Sequence, residues 1–348
     1  MNKIALIVDM PNWAFDIEAK LLKEKLQDFY SIDVICANDE KYDNNLFLIL
    51  ENVRNYDIIH FFWRKLLIQF NSEEFKLQVT QNGYDYNDYV NYFKTRISTG
   101  IYDHLFLEED EIKLYEPIYT NFSKMYYTCS KRLENIYNSI ESYPHPWGTI
   151  HDTYDNNLYS GGDKLRFKNK DISKPLVIGW IGNSKWNIKY QDFKGFHSIL
   201  EPVITELINE GYNIERHYAD KNIKFRTNEE MPSYYQEIDV CVVVSTLEGT
   251  PRPIIEAMAS GVPIITTDVG IVPEVLGPKQ KEFIIGNRNN GSNDEQVRNN
   301  LKEKIIYLYN NRDYLYELSK ENYEYAPNND IDHLYLEYKR YFDDFLNN

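Results

Sequence analysis

Short apolar runs alternate with amphipathic stretches along this sequence. That alternation restricts the chain to parallel sheets covered by helices on both faces. KIALIVD (3–9) has the pattern of a buried strand, FDIEAKLLKEKLQDFY (15–30) carries helical spacing, and SIDVICA (31–37) and YDIIHFF (56–62) read as further strands. RISTGIYD (96–103) reads as another strand leading into the acidic turn LEEDE, and SKRLENIYNSI (130–140) as a helix with Ser130 at its N-cap. Between about 142 and 175 the pattern breaks in a stretch rich in Pro, Gly, Asn and Asp. It restarts with the strand LVIGWIG (176–182) and the helix FHSILEPVITELINEG (196–211). The strands NIERHYA (213–219) and EIDVCVVVS (237–245), a helix in PRPIIEAMASG, the strand VPIITTDVG (262–270) and terminal helices follow. At 348 residues the chain exceeds the usual size of one core. The expected organisation is an α/β chain of two doubly wound domains. Residues 1–150 form the first, 151–175 a linker, 176–328 the second, and 329–348 a C-terminal helix that could cross back onto the first domain.

The net charge of −16, with no Lys/Arg-rich run, leaves no basic surface to neutralise phosphates. Nucleic acid is therefore not an expected partner, and contact with an anionic membrane would be peripheral at most. Cys36, Cys129 and Cys241 are odd in number and far apart, without a CxxC or His/Cys cluster. They read as core thiols in a reducing compartment. The apolar run before Asp9 is too short for a signal peptide, and nowhere do eighteen apolar residues run together. A cytoplasmic protein is the expectation. DYND (85–88) is the nearest approach to a metal-binding spacing, and it is not one, so no metal site is expected.

The chemistry concentrates in Glu248-Gly-Thr-Pro-Arg-Pro-Ile-Ile-Glu256-Ala-Met-Ala-Ser-Gly261, directly after a buried strand. Thr250 suits an N-cap, and Pro251 suits the first helical position, where its missing N–H costs nothing. The free N–H groups of Gly249, Thr250 and Arg252 would then stand at the positive end of the helix, which suits a diphosphate. Glu256, six residues past that cap, would sit roughly 9 Å along the helix at about 1.5 Å per residue. A carboxylate there can accept hydrogen bonds from the two vicinal hydroxyls of a ribose. Glu248, in the loop, would face whatever lies beyond the phosphates. Alone, an acid near a helix start usually does no more than cap it.

The stretch is longer than that pair. DVCVVVSTLEGTPRPIIEAMASGVPIITTDVGIVPEVL resembles the donor-binding signature of glycosyltransferase family 4: the E-x7-E pair, the EAMA-x-G helix end, the VPIITTD strand and the G-x-x-PE turn occur in order. Met231–Tyr235 resembles the segment that precedes this signature in the family, and TIHDTYDNNLYSG (149–161) its degenerate GVD-x-x-x-F element. Gly182-Asn183-Ser184-Lys185, with Lys194-Gly195 further on, resembles the loop whose arginine and lysine bind the donor diphosphate. Lys194 matches the lysine, whereas Asn183 stands where the arginine usually is, leaving Lys185 or Arg252 to supply that charge. Pro11–Phe15 replaces the glycine pair that many relatives carry after the first strand.

The resemblance implies a GT-B fold, with two Rossmann-like domains facing across a cleft, the first binding acceptor and the second a nucleoside-diphosphate sugar. It implies retaining sugar transfer to a glycan or lipid-linked glycan, in surface polysaccharide synthesis, with no metal and no cofactor. Glu248 and Lys194 are the implied catalytic groups; Gly182, Asn183, Lys185, Gly249, Thr250, Arg252 and Glu256 complete the donor site. Relatives place a histidine of the first domain against the donor sugar, and His104, after a strand and beside Asp103, is the first candidate, with His60 the second. Arg64 and Lys65 could meet an acidic acceptor but read more simply as a solvated loop. Two other readings share these residues: a nucleotide-sugar epimerase of the same fold, and a degenerate member that binds glycan or nucleotide without turnover.

Overall fold

In the computed structural model, which describes residues 1–103, 108–186, 188–189, 191–288 and 291–348, two parallel five-stranded sheets carry the chain. The strands of the first are β1 (Lys3–Val8), β2 (Ser31–Cys36), β3 (Ile58–Phe61), β4 (Ile97–Ile101) and β5 (Met125–Thr128). Those of the second are β6 (Leu176–Gly182), β7 (Ile214–Asp220), β8 (Val240–Val243), β9 (Ile264–Thr267) and β10 (Ile284–Ile285). Residues 1–153 with 331–348 form one unit and 154–330 the other. The first sheet runs β2-β1-β3-β4-β5 and the second, from its far edge, β7-β6-β8-β9-β10, so both have the same winding. In each, the direction of winding reverses beside the first strand of the unit, between β1 and β3 or between β6 and β8. A doubly wound sheet opens a crevice there, outside the carboxyl ends of its strands.

Apolar burial explains why these runs are strands. Ile4 to Val8 are all within 1% of fully buried, as expected for a strand covered on both faces. The first unit is completed by the helix Ile331–Asn347, whose Tyr338, Tyr341, Phe342 and Phe345 are buried. Tyr341 Oη lies 2.9 Å from Ser98 Oγ, and Tyr338 Oη donates to Glu18 Oε1 at 3.2 Å. In the stretch read as a linker, Phe167 belongs to the second unit's core, and Lys170 forms a 2.5 Å ion pair with Asp239. Its Pro/Gly/Asn content marks turns within the unit.

Other local differences have identifiable causes. The segment 64–94, unassigned by its pattern, forms a 3-10 helix (Arg64–Asn71) and the helices Glu73–Gln81 and Tyr86–Lys94. DYND is the start of the last of these: Asp85 caps it by accepting from the Asp88 amide at 3.0 Å. The expected helix 196–211 begins as a π turn, Phe196–Leu200, before the α-helix Glu201–Asn209. Pro202 has no N–H to give the Ser198 carbonyl, and the Arg298 guanidinium donates to that carbonyl at 3.0 Å instead.

Candidate functional site

The loops that leave β6 and β8 border the second unit's crevice, and they carry the residues singled out from the sequence. Gly195 makes their approach possible. Its φ is +65°, and a Cβ there would stand 2.3 Å from the Val244 carbonyl oxygen. Only glycine lets the β6 loop rest on the end of β8. That contact brings Lys194 Nζ to 2.5 Å from Glu248 Oε1, with the two side chains 28% and 16% exposed. The Lys194 ammonium also lies 5.7 Å from the centre of the Trp186 ring, an exposed indole packed edge-on against Phe193.

The Glu248 loop is supported from beneath. Gly270, in the G-x-x-PE turn, has φ +48°, and a Cβ there would fall 1.7 Å from the Gly249 carbonyl oxygen. That carbonyl accepts from the Ile271 amide at 3.0 Å. Asn287 Nδ2 ties the same region together by donating to the carbonyls of Thr246 (3.1 Å) and Asp268 (2.9 Å).

The helix that follows is Arg252–Ala259, and its start corrects the expected cap. Pro251, not Thr250, is the N-cap, with φ −70° and ψ 93°, and its carbonyl accepts from Ile254 N at 2.8 Å. Pro253 occupies the second helical position, where it needs no acceptor, so the start moves one residue on. The Thr250 hydroxyl does not cap; it is buried with no partner among the described residues. Among those residues the backbone amides of Gly249 and Thr250 also meet no acceptor, leaving two N–H donors beside Glu248.

Glu256 lies deeper, 6% exposed. Its Oε2 accepts from Tyr235 Oη at 3.0 Å, and its Oε1 lies 3.4 Å from Arg252 Nε one helical turn back. Burial pushes its carboxyl above the ordinary carboxylate range, while Arg252 and the Tyr235 hydroxyl pull it down. Burial and the charge of Glu256 together raise the Tyr159 phenol.

Gly182 ends β6, its carbonyl accepting from Lys221 N at 2.9 Å. Asn183 serves as a turn residue: its Oδ1 accepts from Lys185 N (3.1 Å) and from Asn222 Nδ2 (2.8 Å). Lys185 is exposed and pairs with no carboxylate among the described residues. The structure thus brings together Lys194 with Glu248, and Arg252 with Glu256. Trp186 and Tyr235 were not singled out. Trp186 adjoins the Asn183–Lys185 segment, but one Trp in a polar loop forms no pattern; Tyr235 lies within the Met231–Tyr235 segment.

In the first unit the histidine candidates fare differently. His104 lies outside the described residues. His60 is a core residue: it is fully buried, Nδ1 is 2.7 Å from Ser98 Oγ, and its ring stacks on Tyr127 at 5.5 Å. Burial pushes its pKa down to about 3, so it is neutral and internally satisfied. Arg64 is not on a solvated loop; it is 5% exposed and paired with Asp103 at 2.5 Å. Lys65 is partly exposed. Among the described residues, no cluster of three His, Cys, Asp or Glu could hold a metal ion, and no helix is long and apolar enough to cross a membrane.

Residues 214–326 match the family model of Glycosyl transferases group 1. The Staphylococcus aureus protein CapJ is 28% identical over 124 residues, covering 30% of this chain and 30% of that one. The MMP alpha-(1->4)-mannosyltransferase of Mycolicibacterium hassiacum is 40% identical over 52 residues, 15% of this chain and 13% of the enzyme. The matched stretches thus span less than a third of either curated relative. Anabaena Alr3699/HepE, solved in complex with UDP and glucose, superposes with a TM-score of 0.67 at 13% identity, over 99% of this chain and 100% of its own. The fold is GT-B, the two-domain α/β architecture of such structures.

Proposed function

We propose, from the match of residues 214–326 to the family model of Glycosyl transferases group 1, that this chain moves a sugar from a nucleoside-diphosphate sugar to a hydroxyl of a glycan or glycoconjugate. The observation that carries this reading is the meeting of Lys194 and Glu248, 2.5 Å apart on the loops that leave β6 and β8, beside the two open amides of Gly249 and Thr250. One site thereby offers donors for a diphosphate and an acceptor for sugar hydroxyls.

In the proposed reaction the bond from the anomeric carbon to the diphosphate oxygen breaks, and a bond to the acceptor oxygen forms on the same face. The acceptor proton passes to the departing phosphate oxygen. Negative charge builds on the diphosphate as it leaves, and Lys194, Lys185 and the Gly249 and Thr250 amides stabilise it without a metal ion. Glu248 orients the sugar. Glu256 accepts from the ribose hydroxyls, exchanging its contact with Arg252 for them. Retention is the outcome that the likeness to family 4 brings. The UDP bound to HepE supports a nucleoside diphosphate as the leaving group. A glycan acceptor in surface polysaccharide synthesis, with membrane contact at most peripheral, is the setting proposed.

Incubating the protein with a panel of nucleotide-sugars and no acceptor tests the reading. A transferase releases nucleoside diphosphate and free sugar slowly, because water replaces the acceptor. Appearance of an epimeric nucleotide-sugar, or no turnover of any donor, whether or not it binds, would overturn it.

A further inference from the structure

We infer that Glu248 competes with the diphosphate for Lys194, so that the site favours an intact nucleotide-sugar over free nucleotide. This rests on the donor-site reading above. Lys194 is held on two sides: Glu248 Oε1 lies 2.5 Å from its ammonium, and the Trp186 ring centre lies 5.7 Å away. Gly195 fixes the backbone beneath it against Val244. A diphosphate approaching Lys194 therefore meets a carboxylate already there. The ammonium is shared between two anions, which repel each other across a partly desolvated gap.

The sugar changes that balance. Its hydroxyls donate to Glu248 and replace the ammonium as partner, so Lys194 is released to the diphosphate while Glu248 keeps its hydrogen bonds. Free nucleoside diphosphate brings no such hydroxyls. Glu248 then either retains part of Lys194 or loses its partner, and affinity falls in both cases. The other pair in the motif does not act this way. Arg252 and Glu256 sit one turn apart on one helix, with Glu256 6% exposed and also held by Tyr235. The consequence for turnover is release of the product nucleotide, since the group that held Lys194 before binding reclaims it once the sugar has gone.

The test is calorimetric titration of UDP, GDP, ADP and dTDP into the full-length protein, followed by titration of the tightest of them into Glu248→Gln, Lys194→Ala and the double variant. Glu248→Gln keeps the shape and removes the charge. It should bind the nucleoside diphosphate about threefold to fivefold more tightly than wild type, the size expected for freeing one partly exposed cation from its partner. The gain should vanish in the double variant. Glu248→Ala serves as a second removal of the charge, and melting curves confirm folding of each protein. If Lys194→Ala weakens binding while neither Glu248 variant strengthens it, the donor site stands and the competition is refuted. If no substitution changes nucleotide affinity, the diphosphate does not bind here and the donor-site reading itself fails.

Discussion

The Tyr235 hydroxyl donates to Glu256 Oε2 at 3.0 Å, joining the short helix Met231–Glu237 to the helix that begins at Arg252. Tyr235 is 0% exposed, so this hydrogen bond is made without competition from water. It orients a carboxylate whose other oxygen faces Arg252.

Tyr235 and Glu256 should therefore separate on substitution. Glu256→Ala removes the ribose acceptor, and loss of two charge-assisted hydrogen bonds at ~1.5–3 kcal/mol each should weaken nucleoside diphosphate binding by on the order of 10²-fold or more. It also strands Arg252 and Tyr235, so its melting temperature should fall. Tyr235→Phe should lower stability by about 1 kcal/mol and leave nucleotide affinity within a few-fold. Calorimetry and thermal melts on both variants check this. Equal nucleotide affinity in wild type and Glu256→Ala would remove Glu256 from the ribose.

Gly195 and Gly270 should each resist a methyl group for a reason Gly211 does not share. All three have positive φ, but a Cβ at Gly211 would meet nothing within 4 Å, whereas at Gly195 and Gly270 it would strike backbone carbonyls. Gly211→Ala should cost only the left-handed backbone penalty, about 1 kcal/mol, and leave nucleotide affinity unchanged. Gly195→Ala and Gly270→Ala should cost more and displace Lys194 and the Glu248 loop, so donor binding falls with stability. Chemical denaturation and nucleotide titration of the three variants decide it.

His60 sets an acid limit on the first unit. Its folded pKa is about 3 while the unfolded ring titrates near 6.5, so between these values the unfolded chain binds the extra proton. Its contribution to stability is full above pH 6.5 and is lost as pH falls toward 3, by at most about 1.4 kcal/mol per pH unit. His60→Gln should flatten that part of the pH–stability curve, at some cost in packing at neutral pH. An unchanged slope between pH 6.5 and 4.5 would show that His60 becomes charged inside the fold.

Activity should survive chelation. With Lys194, Lys185 and two open amides offered to the diphosphate, EDTA should leave donor turnover unchanged. Loss of turnover restored by manganese or magnesium would contradict this.

Much of this was legible in the sequence because the signals are local. Buried strands announce themselves as apolar runs, and the E-x7-E segment lies on one strand–loop–helix unit. Lys194 was legible through the resemblance of Lys194-Gly195 to the family's lysine–glycine pair, and the structure adds why the glycine is there, its φ being +65°. The contacts of Tyr235, Tyr159 and Trp186 depend on packing between distant segments, and no spacing encodes them. The helix start was misread by one residue because two prolines, Pro251 and Pro253, both fit a first turn. The stretch 151–175 reads as a linker because its turns outnumber its core residues, of which Phe167 is one.

The central claim is that Lys194 stabilises a departing diphosphate, and it is tested most directly by the rate of nucleoside diphosphate release from the preferred nucleotide-sugar. Lys194→Ala should release it about 10²-fold or more slowly than wild type, a loss of about 3 kcal/mol in charge stabilisation. Its melting temperature should barely change, since a partly exposed ion pair contributes little to folding. Release at the wild-type rate from the folded variant would contradict the account and move the diphosphate away from the β6–β8 crevice.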